Sequence, residues 1–255
     1  MRAGILGFLL LAPIVAVLLW TQSILAAAGV LFLSHMLVLY PTLSANSQWL
    51  GPVVTRFRTT GKEVWLTIDD GPTDDTLAIL DLLAGAGARA TFFVKGDLAE
   101  RRPDLLQAIT AAGSTVANHS HTHPSGSFWR LGPARIAREI DLCNAAIASA
   151  LASSARRFRA PVGMKNPFVH PALAARGMRL IGWSARGYDG ILLDPDAVAA
   201  RVLRDATPGS ILLLHQGRSH QRTPVSALAI GAVVRELKAR GFAFVIPDDE
   251  QLLEE

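Results

Sequence analysis

The stretch Asn118–Pro124, NHSHTHP, holds three of the chain's seven histidines. His119 and His123 are four residues apart, and Pro124 disfavours helical backbone at His123, so both are expected on a loop. Two imidazoles and one carboxylate leave coordination positions open on a metal ion, as a catalytic site requires. Such a ligand set suits Zn²⁺ and also accommodates Fe²⁺, Co²⁺ or Ni²⁺. The alternative is a polar loop whose histidines form only local hydrogen bonds.

Two adjacent carboxylates offer the missing ligand. Asp69 and Asp70 follow EVWLTI, an apolar and β-branched run typical of a strand. Successive side chains at the end of a strand point in different directions, so one carboxylate can bind a metal while its neighbour faces a substrate. The alternative is an ordinary Asp-Gly-Pro turn, which explains Asp70 but not Asp69.

Strand-like and helix-like segments alternate along the chain and must position these residues. Strands are expected at EVWLTI, ARATFFVKG, STVAN, RRFRAP, MRLIGWS, SILLLH and FAFVIP, and later helices at 132–152, 170–176, 195–206 and 223–240. This alternation favours parallel βαβ units, in an open sheet or a barrel. The polar clusters DDGP, NHSHTH, RAPVG, YDG and HQG each lie at or just after the end of an expected strand. Sites in parallel α/β folds gather at the carboxyl ends of strands, so the clusters predict one shared site.

The N-terminal region differs in kind, because no Asp, Glu, Lys or Arg lies between Arg2 and Arg56. Its two apolar segments each approach the roughly twenty residues that span a bilayer. The preferred interpretation is a membrane anchor over residues 1–42, as one transmembrane helix or a helical hairpin. A cleaved signal peptide is the alternative, since LAAAG offers small residues near a cleavage site. A linker is predicted over 43–62 and a catalytic domain over 63–250.

The composition excludes other classes. Half of the 255 residues are apolar, which allows a large core, and the net charge of +4 is spread too thinly to indicate nucleic-acid binding. Cys143 is the single cysteine, so no internal disulfide forms. Its apolar surroundings favour a core residue over a nucleophile.

Five motifs in order resemble one family. TIDDGP, HSHTHP, RAPVG, GWSARGYDG and ILLLH, over about residues 63–247, are similar to the motifs of the NodB-homology polysaccharide deacetylases, carbohydrate esterase family four. The resemblance implies a distorted (β/α) barrel. It also implies a divalent metal, Zn²⁺ foremost, held by Asp70, His119 and His123.

The same resemblance implies the remaining roles. Asp69 would be the catalytic base with Arg159 as its orienting partner, although Arg159 read alone is one more surface arginine. His215 would be the general acid with Asp189 behind it, although Asp189 read alone is a turn residue. The residues expected to bind substrate are Pro161, Gly163, Trp183 and Tyr188.

Some positions depart from the family pattern. Ile68, Val162 and Gly190 stand where aromatic residues are common, which argues against a generic groove for long glycan chains. His121 matches no ligand position and is assigned to hydrogen bonding or the substrate rim. His170 and His220 are assigned to the surface.

The function predicted from these observations is metal-dependent removal of N-acetyl groups from amino sugars of a polysaccharide, peptidoglycan or lipid-linked glycan. The expected location is the inner membrane, on a side that the number of spans decides. The alternatives are an O-deacetylase or deformylase acting on a lipid-linked sugar, and an inactive glycan-binding membrane protein.

Overall fold

The computed structural model describes residues 3–192, 194–217 and 225–254. Residues 223 and 224 of the last predicted helix, and His220, lie outside the described residues.

Within those ranges, ten strands form one mixed sheet. The strands are β1 (Val54–Phe57), β2 (Glu63–Gly71), β3 (Ala90–Val94), β4 (Thr115–Asn118), β5 (Arg157–Phe158), β6 (Arg179–Leu180), β7 (Ala185–Arg186), β8 (Ser210–His215), β9 (Ala243–Phe244) and β10 (Leu252–Glu254). The order is β10-β1-β8-β2-β3-β4-β5-β6, with β7 paired to β8 and β9 paired to β2. The strands from β2 to β6 pair in parallel, as the alternation with helices predicts.

The sheet curls on itself. A parallel bridge joins Val54, at the start of β1, to Ile181, just after β6, so the far edge of the sheet returns to the first strand. This geometry is the predicted distorted (β/α) barrel.

The segment predicted as a linker, residues 43–62, contains the strand β1. Val54–Phe57 belong to the sheet, where β1 pairs antiparallel with β8 and β10. Only the two end residues of β1 are buried, so this short strand lacks the alternation by which a strand is recognised in sequence.

Seven helices of the described catalytic region accompany the sheet. They are α3 (Thr76–Gly85), α4 (Gly96–Arg101), α5 (Pro103–Ala111), α6 (Pro133–Leu151), α7 (Val169–Ala174), α8 (Pro195–Asp205) and α9 (Val225–Ala239). In α6, Pro133 occupies the first turn, and Ile136, Ile140 and Ile147 form a buried stripe at helical spacing. Cys143 lies buried in the same stripe, so it is a core residue.

Alternation along β2 decides which side chains reach the inside of the barrel. Val64, Leu66 and Ile68 pack outward in the core shared with the helices. Trp65 belongs instead to the smaller cluster inside the barrel. Successive side chains of a strand alternate between faces, so Asp69 continues the inner row of Trp65.

The neighbouring strands repeat this alternation. On β8, Ile211 and Leu213 belong to the inner cluster, and His215 follows at the same period. On β4, Ala117 belongs to the inner cluster and His119 comes two residues later. Carboxyl ends of parallel strands meet at one rim, so these inner rows bring an acid and two histidines together.

The apolar N-terminal segments form two helices. They are α1 (Ala3–Trp20) and α2 (Ile24–Leu43), which pack against each other as a hairpin, and the Ser23 hydroxyl caps α2 by accepting a hydrogen bond from the Ala26 N–H at 3.2 Å. By length and composition α2 is able to cross a membrane, a property that signal sequences share, whereas the apolar segment Gly7–Trp20 is shorter.

The hairpin is joined to the catalytic region by a buried lysine. Lys165 donates from Nζ to the carbonyls of Ser44, at 2.9 Å, and Ala45, at 2.7 Å, just beyond the end of α2. Burial lowers the pKa of Lys165 to about 8. His170, expected at the surface, is half-buried, because its ring packs on Gly51 where a Cβ would lie 2.4 Å away.

Candidate active site

Asp69 and Asp70 both line one pocket at the carboxyl end of β2. Strict alternation would send Asp70 outward, but its φ of 73° lies in the left-handed region and turns the chain there. The pairing of β2 with β3 shifts register between Asp69 and Gly71, as at a β-bulge, which re-aims side chains beside many sites. A Cβ on Gly71 would lie 1.5 Å from Gln216 Nε2, so any larger residue here would displace the Gln216 side chain.

The histidine loop is held by one buried carboxylate. Glu139 of α6 accepts hydrogen bonds from the backbone N–H of His121, at 3.1 Å, and from the N–H and hydroxyl of Thr122, at 2.7 and 2.8 Å. His123 adopts a left-handed φ of 48°. Together these features fold the loop so that His119 and His123 face one point, with their Nε2 atoms 3.1 Å apart.

Asp70, His119 and His123 form a group able to hold a metal ion. The ligand atoms of this group lie within 4.8 Å of one another, and Asp70 Oδ1 is 3.5 Å from His123 Nε2 and 3.9 Å from His119 Nε2. Ligands at about 2.1 Å in a tetrahedral zinc site lie about 3.4 Å apart, so the donor set fits such an ion. Asp70 Oδ1 is also buried without a hydrogen-bond partner among the described residues, as expected of an oxygen that serves as a metal ligand.

The protonation states of this group suit metal binding. Burial lowers the pKa of His123 to about 4, with His119 as a further cause, so its imidazole is neutral near pH 7. Burial alone would raise the pKa of Asp70, but the nearby His119 and His123 outweigh it and the pKa is lowered. His119 Nδ1 lies 2.9 Å from the Arg159 carbonyl and can donate to it, which leaves Nε2 for the ion.

Asp69 is paired with a fully buried arginine. Arg159 Nη1 lies 2.6 Å from Asp69 Oδ1 and also donates to the Thr67 hydroxyl at 2.8 Å. Its other donors are taken by the carbonyls of Ile181 and Gly182, at 3.2 and 2.8 Å. Burial lowers the pKa of Arg159 below its usual value, although Asp69 opposes the change. Arg159 is therefore no surface arginine, and it fixes the position of one carboxylate oxygen.

The second oxygen of this carboxylate faces the histidines. Asp69 Oδ2 lies 3.6 Å from His119 Nε2, and the pocket wall includes Asp69. The Asp69 carboxylate is fixed through Oδ1, and its Oδ2 can accept a proton from a molecule in the pocket.

His215 stands on the neighbouring strand and is paired with a buried acid. Its Nδ1 lies 2.8 Å from Asp189 Oδ1, and its backbone N–H donates to Asp189 Oδ2 at 2.7 Å. Burial lowers the pKa of His215, but the hydrogen bond and charge of Asp189, with Asp69 and Asp70, outweigh it and the pKa is raised. The parallel register pairs Asp69 directly with His215. One rim thus presents a carboxylate and an imidazole that favours its protonated form.

Comparisons with known proteins assign this chain and its fold to a family. Residues 57–181 match the family model described as polysaccharide deacetylase. The chain is 39% identical over 166 residues to a chitooligosaccharide deacetylase of Sinorhizobium fredii, an alignment that covers 64% of this chain and 76% of that protein. The chain belongs to the polysaccharide deacetylase family. It is accordingly a deacetylase, a hydrolase that acts on amide bonds.

Two further similarities support this membership. A family 4 carbohydrate esterase from Streptomyces lividans, solved in complex with acetate, superposes with a TM-score of 0.67 at 31% identity, over 77% of this chain and 98% of that chain. The peptidoglycan-N-acetylglucosamine deacetylase PgdA of Listeria monocytogenes is 29% identical over 191 residues, which are 74% of this chain and 39% of that protein. The NodB-homology family predicted from the motifs is confirmed.

The pocket that Asp69, Asp70, His119, His123 and His215 line, which we term the deacetylase pocket, has a volume of about 350 Å³. Of the four residues expected to bind substrate, Gly163 and Trp183 line it. Pro161 is buried outside its walls, where it begins a short 3-10 helix. Tyr188 lies in a neighbouring cavity. His121 does not reach the pocket, because its ring packs against Gly96 and lies 4.0 Å from Glu100.

The deacetylase pocket also has walls to which the motifs assigned no catalytic, metal-binding or substrate-binding role. They are Lys95, Ser125, Val162, Arg186, Gly190, Ile191 and Leu213. Val162 adopts a left-handed φ of 58°, which is costly for a β-branched residue. Its side chain is half exposed in the pocket wall, so strain at this position accompanies the site.

Proposed function

We propose that this chain is a metal-dependent N-deacetylase of an N-acetylated amino-sugar glycan, with Asp69 as general base and His215 as general acid. The single observation that carries the proposal is the pairing of Asp69 with His215 across β2 and β8, on the rim that also presents the donor set of Asp70, His119 and His123. The chitooligosaccharide and peptidoglycan substrates named for the relatives indicate the class of glycan.

A divalent cation, Zn²⁺ foremost, with Co²⁺, Fe²⁺ or Ni²⁺ as substitutes, would polarise the amide carbonyl and acidify the attacking water. Asp70, His119 and His123 would hold it. These three residues leave coordination positions open, as the chemistry of hydrolysis requires.

Asp69 would accept the proton of the attacking water at Oδ2, while Arg159 keeps Oδ1 in place at 2.6 Å. An amine leaves an amide only when it is protonated. His215 would supply that proton from Nε2, because Asp189 accepts from Nδ1 and stabilises the imidazolium. The raised pKa of His215 supports this role as an acid.

The glycan would occupy the pocket between Trp183 and the loop at Val162, both of which line it. Trp183 is largely buried at 7% exposure, so it offers the edge of a platform rather than a broad stacking surface. The pocket is lined on another side by Ile191, which is 78% exposed and extends the apolar wall toward solvent.

The test is amine release from N-acetylglucosamine oligomers by the full chain in detergent, after chelation and after reloading with Zn²⁺ or Co²⁺. We expect one metal per chain and release only with metal. His119→Ala should lose both, whereas His121→Ala, whose ring points away, should retain metal. A folded protein that binds no metal, or that releases amine equally well after chelation, would contradict the proposal.

We also propose that residues 1–42 attach the enzyme to the inner membrane as a helical hairpin. The hairpin exposes large apolar side chains that water would solvate poorly, including Val17 at 73% and Leu25 at 82% exposure. Alkaline extraction of membranes tests this: Leu25→Arg should increase release into the soluble fraction, and Leu77→Arg, at an exposed leucine of α3, should not. Complete release of the unaltered chain would refute membrane attachment.

A further inference from the structure

A second cavity adjoins the deacetylase pocket and is lined by four arginines. Arg56 of β1, Arg186 of β7, and Arg201 and Arg204 of α8 border a volume of about 480 Å³, which we term the arginine pocket. Trp183 and Arg186 line both cavities, so the arginine pocket begins where the deacetylase pocket ends.

The positive charge of the arginine pocket is largely uncompensated. Asp205 is the carboxylate on its described walls, and it pairs with Arg204 at 2.9 Å. Arg56 donates to two uncharged acceptors, the Thr207 hydroxyl and the Pro208 carbonyl, each at 2.7 Å. Within the described part of the chain, no carboxylate forms an ion pair with Arg186 or Arg201.

Tyr188 holds two of these charges near each other. The Arg186 guanidinium lies 4.2 Å from the centroid of the Tyr188 ring, and that of Arg201 lies 5.6 Å from it. Tyr188 itself adopts a left-handed φ of 58°, a conformation that is uncommon outside glycine and is concentrated at functional sites. Two like charges beside one ring repel each other, and an anion bound in the same cavity would relieve that repulsion.

Arg186 also has a donor that lacks an acceptor. Its Nε atom is buried and makes no hydrogen bond among the described residues. Buried polar atoms are almost always paired, so an unpaired one indicates a missing partner. The planar fork of a guanidinium matches the oxygens of a phosphate or a carboxylate.

We propose that the arginine pocket binds an anionic group, a phosphate or a carboxylate, that the glycan substrate carries beside the sugar being deacetylated. The proposal rests on the deacetylase function proposed above. Because Trp183 and Arg186 line both cavities, one substrate molecule could place its acetamido group in one cavity and its anionic group in the other. An anion on the substrate would place its neighbouring acetamido group in the deacetylase pocket. Tyr188, expected to contact substrate, would do so here by positioning Arg186 and Arg201.

The experiment compares three substrates with the metal-loaded full chain in detergent. They are a neutral N-acetylglucosamine trisaccharide, the same trisaccharide with a phosphate on its reducing end, and the same trisaccharide with a carboxylate. We expect a higher kcat/KM for at least one anionic substrate, and the better one identifies the source of the anion. Arg201→Gln should lower the ratio of anionic to neutral kcat/KM by about tenfold, mainly through KM, because a hydrogen bond between charged groups is lost.

Arg201→Lys keeps the charge but loses the fork, so its ratio should fall between those of the unaltered enzyme and Arg201→Gln. Arg138→Gln, an exposed arginine of α6 outside both cavities, is the matched control and should keep the full ratio. Equal kcat/KM for all three substrates, or the same ratio in Arg201→Gln, would overturn the proposal.

A binding measurement separates this proposal from the deacetylase function. Inorganic phosphate is titrated into the metal-free full chain, so that it cannot bind through a metal ion. We expect Arg201→Gln, but not Arg138→Gln, to weaken phosphate binding by about tenfold. This result without amine release from any substrate would support the anion site and defeat the proposed activity. Unchanged phosphate binding in Arg201→Gln would defeat the anion site even if amine release is normal.

Discussion

Two buried carboxylates stand on neighbouring sides of the deacetylase pocket, each paired with a cationic side chain. Asp69 is 2% exposed and pairs with Arg159, while Asp189 is 4% exposed and pairs with His215. The first cation keeps its proton under all ordinary conditions, because the pKa of a guanidinium lies far above neutrality. The second is an imidazole whose pKa is raised, chiefly by Asp189, so it can carry a proton and release it. Under the proposed function, the same arrangement would therefore present a proton acceptor in one case and a proton donor in the other.

The two pairs also differ in which partner is held more completely. Arg159 is fixed by four acceptors, so the carboxylate it contacts is the partner that reaches the pocket. Both carboxylate oxygens of Asp189 bond to His215, one to Nδ1 and one to the backbone N–H. The imidazole is therefore the partner that reaches the pocket. In each pair the more enclosed member orients the member that lines the pocket.

The largest effect is expected from removing the proton acceptor. Asp69→Asn keeps the size of the side chain but cannot take a proton, so kcat/KM should fall by about 10²- to 10⁴-fold. Metal content should stay near that of the unaltered enzyme, because Asp69 is not in the donor set. His123→Ala is the control that loses metal as well as activity. Asp69→Asn with more than a tenth of the original activity would exclude Asp69 as the base.

The next effect concerns stability and separates a buried pair from a surface pair. Arg159→Ala leaves Asp69 buried without its partner, which should lower the free energy of unfolding by about 3–5 kcal/mol. Arg176→Ala is the control, because Arg176 and Asp141 form an equally short pair at 2.6 Å on the surface. Its loss should cost at most about 1 kcal/mol. Equal losses in the two variants, measured by urea unfolding, would show that burial does not decide the contribution of Arg159.

Much of this site was predictable because its residues follow the ends of strands. The strands β2 and β8 are apolar runs that end in polar residues, a pattern visible in sequence, and the fold class predicted from the alternation of such strands with helices is confirmed. The five motifs then predicted the family correctly. These features are local in sequence, so a single chain reveals them.

Other features were not predictable, since they depend on backbone geometry or on contacts distant in sequence. The left-handed φ of Asp70 lets two successive carboxylates face one pocket, and strand alternation alone gives no sign of it. MRLIGWS, expected as one strand, contains only the two-residue strand β6, and β7 begins just after it and pairs with a different neighbour. Arg186 lies within the GWSARGYDG motif but was assigned no role, and only the folded chain brings it to one cavity with Arg56 and Arg201.

A smaller effect, on the pH dependence of kcat/KM, tests the pair of Asp189 and His215. Asp189→Asn removes the charge that raises the pKa of His215 and leaves burial, which lowers it. Because the acid must be protonated, activity falls as pH rises through the pKa of His215. The alkaline limb of the kcat/KM profile should therefore move to lower pH. Asp81→Asn, an exposed carboxylate on α3, should leave the profile in place. An alkaline limb that does not move would assign it to another group.

The smallest effect is expected at Thr67, which contacts Arg159 of the Asp69–Arg159 pair. Its hydroxyl accepts from Arg159 Nη1 at 2.8 Å and donates to the Leu212 carbonyl at 2.6 Å. Thr67→Val keeps the shape and removes both bonds, so the free energy of unfolding should fall by about 1 kcal/mol. Because Arg159 then holds Asp69 less firmly, kcat should fall a few-fold with KM unchanged.

Thr91→Val is the matched control for this last variant. Thr91 is equally buried on the adjacent strand, and its hydroxyl accepts from Trp65 Nε1 at 2.8 Å without contacting Arg159. It should lose similar stability and keep its kcat. If the two variants lower kcat equally, general loosening of the barrel explains the effect. If only Thr67→Val lowers it, the position of the Arg159 guanidinium sets how well Asp69 accepts a proton.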